Sequence, residues 1–421
     1  MNPAVEAIDG EGVDAAANAE DAPMGGIGLK QEEGMNLRIC RLLSITAFVS
    51  CFVASAQTLA QNAYITNSAS GRLAIVDTQK DEIFSNPFIG EGGLGMAVSP
   101  DGSRAFIGYR NFRHVSVWNT GIQNPVPSRR EFSRLADIPV GGGPLGLASQ
   151  DRNKVYVANE RTGTLSVITA TDAVTYKLTA TIGIGREPRG VAVSPDGSKL
   201  YVTFFDNVSV IDTATNDQNV IFDGGHRPVG VAVSSDGSKY YVANEGSDTV
   251  SAIATATNAV TATIPVGRQP FGVAVSPDGS KLYVTNTGSD DVSVIATATN
   301  TVTATILVGH SPKGVAVTPD GSKLYVVNEG SGSVSAIDTK TNTVIPTGAR
   351  LTGLERPVSF GVFIGPAPAQ QRFTGTPGFS NCEGQSIAAL DRQFRGRNAA
   401  AGALGFPDVQ ALENAVQAFC R

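Results

Sequence analysis

The block G-V-A-V-S-P-D-G-S-K-L-Y-V-T-N, cleanest over residues 272–286, recurs along the chain. Its turn aspartate falls at Asp101, Asp151, Asp196, Asp236, Asp278 and Asp320, with gaps of 50, 45, 40, 42 and 42 residues. A period of this length marks an array of like units that bury their faces against one another. After each block come a Gly/Ser/Asp loop, a strand such as 292–295, an Ala-Thr-Asn turn and a strand such as 303–306. Each repeat therefore supplies four short strands. Composition agrees, because 17% charged residues with 47 Gly and 22 Pro suit turns and strands better than helical bundles.

The residue types follow from the place of each strand. Gly272-Val273-Ala274-Val275 is small and apolar on both faces, as suits an innermost strand pressed between neighbouring sheets near an axis. In Pro277-Asp278-Gly279, proline presets φ for a type I turn and glycine takes the positive φ that follows. Leu282-Tyr283-Val284-Thr285 returns as a β-branched and aromatic strand. Asn67, Asn159, Asn244, Asn286 and Asn328 end that strand, where a short amide is expected to bond its own backbone as an Asx turn.

Counting half-repeats predicts closure. Seven segments resemble the second strand, starting at Tyr64, Phe106, Tyr156, Tyr201, Tyr241, Tyr283 and Tyr325. Seven resemble the first, near Met96, Leu147, Val191, Val231, Val273, Val315 and Phe360. The chain starts with a second strand lacking a first and ends its repeats with a first lacking a second. Together the two orphans complete one blade, which removes the open sheet edges. The expected fold is all-β, a seven-bladed β-propeller over residues 57–364 closed by pairing of its N- and C-terminal strands. Irregularity is expected where Gln150-Asp151-Arg152-Asn153 replaces the usual turn, and near the insertion at 119–134.

Leu282-Tyr283-Val284-Thr285-Asn286, with Val275-Ser276-Pro277-Asp278-Gly279 before it, resembles the YVTN β-propeller repeat family, also seen in surface-layer-type proteins. The likeness covers about 300 of the 421 residues and is specific for fold. It is weak for function, because members share a scaffold and not one chemistry. It implies a binding scaffold; similarity to seven-bladed lactonase-type propellers implies the alternative of a hydrolase or lyase.

The flanks read differently. The net charge of −6 is uneven: residues 1–34 hold eight Asp/Glu and one Lys, leaving 31 basic and 30 acidic residues. A balanced remainder argues against nucleic-acid binding, which needs clustered cations. Residues 35–56 read as a signal peptide, with Arg38 and Arg41, an apolar run at 42–53, and Ala54-Ser55-Ala56 before Gln57. Residues 1–34 are then a mis-assigned start or a disordered leader. Cys51 offers a weak lipidation alternative. The run is too short to span a membrane, so export to periplasm or medium is expected. Residues 365–380 read as a linker and 381–421 as a small helical tail, with Ile387, Leu390, Phe394, Val409, Leu412, Val416 and Phe419 at helical spacing. Cys382 and Cys420 are expected to form its disulfide, contributing about 4 kcal/mol by loop closure.

No catalytic residue is nominated. Three histidines, no G-x-S-x-G, no HExxH and no phosphate loop leave no nucleophile, metal site or cofactor to name. One position varies informatively. Two residues before the proline that enters each blade stand Gly142, Arg186, His226, Arg268, His310 and Glu355, with Glu91 as the equivalent in the remaining blade. Arg189 and Lys313 follow the proline in two of them. The candidate ligand site is Arg186, Arg189, His226, Arg268, His310 and Lys313, a basic arc inside an acidic rim of Glu160, Glu245, Asp248, Asp290, Asp291 and Glu329. Two outcomes are open: solvated loop tips pairing across blades, each pair weak, or a channel mouth that binds an anion. The expected partners are an envelope protein, a polysaccharide or a small anion. A carboxylate held beside His226 or His310 would favour the catalytic alternative.

Overall fold

The computed structural model describes residues 62–120, 132–223, 225–359, 361, 363 and 364; the expected signal peptide, tail helices and Cys382–Cys420 bond lie outside them. Seven antiparallel sheets succeed one another along the chain, six of four strands and one of three. We number as blade 1 the three-stranded sheet of Asn62–Asn67, Arg72–Asp77 and Glu82–Ser85. Blades 2 to 7 open with the innermost strands Gly93–Val98, Pro144–Asp151, Pro188–Val193, Pro228–Val233, Pro270–Val275 and Pro312–Val317. The fold is thus a seven-bladed β-propeller, as the repeat count predicts.

Burial peaks at the second and third strands of each blade. Second strands such as Lys281–Asn286 are buried on both faces, whereas fourth strands such as Thr301–Leu307 show Thr and Val to solvent. Tyr64, Tyr156, Tyr201, Tyr241, Tyr283 and Tyr325 are each at most 2% exposed and carry the packing between sheets.

The innermost glycine has a strict steric reason. A Cβ on Gly95, Gly146, Gly190, Gly230, Gly272, Gly314 or Gly361 would lie within 3.0 Å of a carbonyl oxygen of the neighbouring blade, at Leu145, Arg189, Val229, Phe271, Lys313, Ser359 and Met96 in turn. These seven approaches run round the axis and return to their start, so only a hydrogen fits at each. Two buried threonines staple the same seams. Thr203 donates to Val229 O and accepts from Gly190 N, at 2.7 and 2.8 Å. Thr285 repeats this with Lys313 O and Gly272 N, at 2.9 and 2.8 Å.

Closure joins the two orphans. Residues 357–359, 361, 363 and 364 lie antiparallel to Asn62–Asn67 as the innermost element of blade 1, with bridges Asn67 to Pro357 and Ala63 to Ile364. A second lock lies between blades 7 and 1: Lys323 Nζ is 2.7 Å from Asp81 Oδ2, and the Tyr325 hydroxyl donates to the same carboxylate. Burial first, then the Asp81 carboxylate, push the Tyr325 hydroxyl above its ordinary pKa.

Two sequence expectations need refinement. The strand-ending asparagines do not make Asx turns. Buried Asn159, Asn244, Asn286 and Asn328 donate across the hairpin, for example Asn286 Nδ2 to Ser293 Oγ at 2.9 Å. Their amides pack under the entering loop, where Gly141, Gly225, Gly267 and Gly309 leave room. In blade 3 the altered turn is absorbed by a longer first strand whose register shifts twice, ending with Asp151 opposite Lys154.

The S-P-D-G turns, and the S-S-D-G turn at 234–237, make a set of acid-sensitive locks. The hydroxyl of the serine two residues before, followed by groups of the serine two residues after, holds Asp196, Asp236 and Asp278 down to about 2. A depressed carboxylate contributes stability above its unfolded value of about 3.9, and that contribution is lost as pH falls through the folded value. Thermal melts should be flat near neutrality and fall in Tm between about pH 4 and pH 2. Ser276→Ala should lower Tm above that window and shrink the acid-side fall; an unchanged profile would count against the turns as its source.

Candidate functional site

The loops that enter each blade and the turns between second and third strands meet at one end of the propeller. Backbone bonds tie them: Val140 N to Arg113 O, Val266 N to Asp248 O and Val308 N to Asp290 O. The residue before the entering proline sits in the left-handed region, with Glu187, Arg227, Gln269, Ser311 and Arg356 at φ of 50 to 53°. This kink swings the chain into the innermost strand, so the residue after the proline lands on the channel mouth.

That position builds the floor of the mouth. Leu145 and Val229 pack together with Leu94 and Phe271. Between these apolar side chains stand Arg189 and Lys313, at 18% and 26% side-chain exposure. Lys313 Nζ lies 5.5 Å from the centre of the Phe271 ring, within cation–π range. Below the floor runs a cavity of about 530 Å³, walled by the Gly, Ala and Val residues of the innermost strands.

Carboxylates answer both cations, and for Arg189 two of them come from neighbouring blades. Arg189 meets Glu187, Glu245 and Glu160 at 3.2, 3.3 and 3.8 Å. Glu160 also binds Arg110 at 2.6 Å, and Glu245 binds Arg227 at 3.4 Å, so one ionic chain crosses blades 2 to 5. On the other side Glu329 holds Lys313 at 2.5 Å and Arg356 at 3.2 Å. Of the acidic rim read from the sequence, Glu160, Glu245 and Glu329 are direct partners of the inner cations, whereas Asp248, Asp290 and Asp291 bind loop groups of their own.

Arg186, His226, Arg268 and His310 stand farther out and are exposed. His226 Nδ1 is 3.1 Å from Asp206 Oδ1, and His310 Nδ1 is 2.8 Å from Asp290 Oδ2. Both aspartates also accept a loop N–H, from Arg227 and Ser311, each at 2.8 Å. The His310 bond, then the Ser311 N–H and more weakly Arg268, hold the Asp290 carboxyl below its ordinary value. Each imidazole is thus held at Nδ1 and turns Nε2 to solvent, with 63% and 77% of its side chain exposed. Among the described residues no group of three His, Cys, Asp or Glu side chains is placed to hold a metal ion.

Sequence reasoning missed the apolar floor. Its signal was present in the residue following each entering proline, Leu145, Arg189, Val229, Phe271 and Lys313, whereas the charge variation read from the sequence lies three residues earlier, on the outer part of the loop.

Comparison with known proteins agrees with this architecture. A family model described as "Lactonase, 7-bladed beta-propeller" matches residues 231–358. The uncharacterized protein YncE of Salmonella typhi is 30% identical over 167 residues, 38% of this chain and 44% of that protein. A seven-bladed beta-propeller protein of Mycobacterium tuberculosis is 36% identical over 91 residues, 20% of this chain and 22% of that one. The chain thus spans less than half the length of the curated relatives it matches. A crystal structure of a putative 6-phosphogluconolactonase from Bacteroides fragilis superposes with a TM-score of 0.60 at 17% identity, covering 72% of this chain and 98% of that one. At that identity the likeness speaks for fold alone.

Proposed function

We propose that this lactonase-like seven-bladed propeller is an exported, non-catalytic binding scaffold whose channel-mouth face takes an envelope protein, a polysaccharide or a small anion. The observation that carries this reading is the mouth floor. Part-exposed Leu94 and Phe271, packed on buried Leu145 and Val229, form an apolar patch that carries two half-sheltered cations, and both cations already have a protein partner. Such a surface offers an apolar anchor inside a polar rim, the anatomy of a recognition patch. It leaves no unpaired base beside a nucleophile.

The test is capture from the native envelope with the mature protein as bait. Phe271→Asp should abolish capture of the partner retained by wild type. Val174→Asp, in an exposed turn at the other end of its blade, should keep it. Equal capture by both variants would overturn the reading.

The catalytic alternative has two observations in its favour: His226 and His310 each hold a carboxylate at hydrogen-bond distance, the feature that favours it, and the His310–Asp290 pair lies inside the stretch matched by the lactonase family model. In that reading His310 Nε2 serves as general base and Asp290 sets its tautomer. Gluconolactone and its 6-phosphate, followed by pH-stat, decide between the two. Turnover lost in His310→Gln and reduced in Asp290→Asn would replace the scaffold reading; no turnover by wild type would support it.

A further inference from the structure

The last residue of the turn between second and third strands holds an equivalent place in each blade. In Arg113, Asp248 and Asp290 its carbonyl accepts the N–H of the residue just after the fourth strand, Val140, Val266 and Val308. In three blades it is aspartate, and its carboxylate has a defined task. Asp206, Asp248 and Asp290 accept the N–H of the residue before the entering proline, Arg227, Gln269 and Ser311, at 2.8, 2.7 and 2.8 Å. In three others it is Gly71, Gly163 or Gly332. Blade 2 alone places a cation there, Arg113.

The loop beside Arg113 is Gly141-Gly142-Gly143. Gly143 is the counterpart of Gln269 and Ser311, and the residue equivalent to the aspartates that cap their N–H groups is here Arg113. A second arginine converges on the same spot. The point a Cβ would occupy on Gly142 is 3.6 Å from Arg113 Nε and 3.7 Å from Arg161 Cβ. Arg161 bonds Asn111 Oδ1 at 3.2 Å, and Glu160 next to it is held by Arg110 and Arg189. Among the described residues neither Arg113 nor Arg161 has a carboxylate partner, and both are exposed. Glycine at 142 projects no side chain where other blades project Arg268 or His310, so the side chains of Thr162, Arg113 and Arg161 close over the loop, at 3.3 to 3.7 Å from the point its Cβ would occupy.

We propose that this loop binds a carboxylate from solution, which takes the place that the aspartate side chain fills in three other blades. One oxygen accepts the Gly143 N–H; the other receives the Arg113 guanidinium, with Arg161 alongside. The pairing is charge-assisted, and the group that fills the equivalent place in three other blades is itself a carboxylate, which makes a carboxylate the expected ligand. The site is separate from the mouth floor and does not rest on the scaffold reading.

The test titrates acetate, succinate, citrate and inorganic phosphate into the mature protein at low ionic strength, by calorimetry. Saturable one-site binding of a carboxylate is expected, weakening with added salt. Arg113→Gln should lose about tenfold or more in affinity. Arg113→Asp introduces the aspartate that three other blades carry, so it should melt at or above the wild-type temperature while losing the carboxylate. Arg268→Ala should bind within about twofold of wild type, which separates this site from the outer arc. No saturable binding by wild type, phosphate bound in preference to every carboxylate, or equal affinity in Arg113→Asp would overturn the proposal.

Discussion

A chain ending at Leu354 should lose cooperative folding. The removed segment supplies the inner edge of blade 1, with Val358 N on Thr66 O at 2.8 Å, Tyr64 N on Phe363 O at 2.9 Å and Ser68 N on Arg356 O at 3.2 Å. Ser359 Oγ accepts from Thr66 N at 3.2 Å and donates to Tyr64 O at 3.3 Å. Val358, Phe363 and Ile364 are at most 4% exposed. Burying three such side chains contributes roughly 5 to 9 kcal/mol, on the scale of a whole domain's stability of about 5 to 15 kcal/mol. The truncation also bares the edge of Asn62–Asn67 and the face of Gly314 that Ser359 covers, and unpaired edges template aggregation. Size exclusion and thermal melts of 57–354 against 57–364 give the comparison. A soluble shorter chain with a single sharp transition near that of the longer one would refute closure by this segment.

The fold was legible because the period writes it out. Each Pro-Asp-Gly turn and each Leu-Tyr-Val run marks a strand end, and counting orphans identified the closing pair without coordinates. Glycine at the head of each Gly-Val-Ala-Val strand was read as small; its actual constraint is the neighbouring blade's carbonyl, which lies some 40 residues away and leaves no local trace. The site was half legible for the same reason. Arg189 and Lys313 were picked out by charge, and the rim glutamates were placed on the right face, but Glu245 meets Arg189 across 56 residues. Such pairings belong to the ring, not to the repeat. The asparagines misled because Asn at a strand end ordinarily bonds locally, whereas here the third strand offers a serine hydroxyl at the right register. Arg113 was invisible as an exception until its carbonyl bond aligned it with Asp248 and Asp290.

Substituting one innermost glycine should cost more than its single methyl suggests. In Gly272→Ala the new Cβ would sit within 3.0 Å of Lys313 O, with Thr285 Oγ1 at 3.0 Å on its other side. That carbonyl cannot simply turn away, because it accepts the Thr285 hydroxyl at 2.9 Å, and the same hydroxyl also accepts from Gly272 N at 2.8 Å. Blades 6 and 7 must therefore separate. In an open array the shift would dissipate at an end; in a closed ring the other six approaches are already at contact, so the displacement is shared or the closing segment yields. Overpacking of this kind costs about 2 to 3 kcal/mol, a fall in Tm of about 5 °C or more. Gly183→Ala is the matched control. That glycine ends the exposed strand Tyr176–Gly183, and an added Cβ meets nothing within 4 Å, so the change should be neutral or slightly stabilising. Equal melting temperatures for the two variants would mean that the ring has slack at its axis, and glycine there would need another explanation.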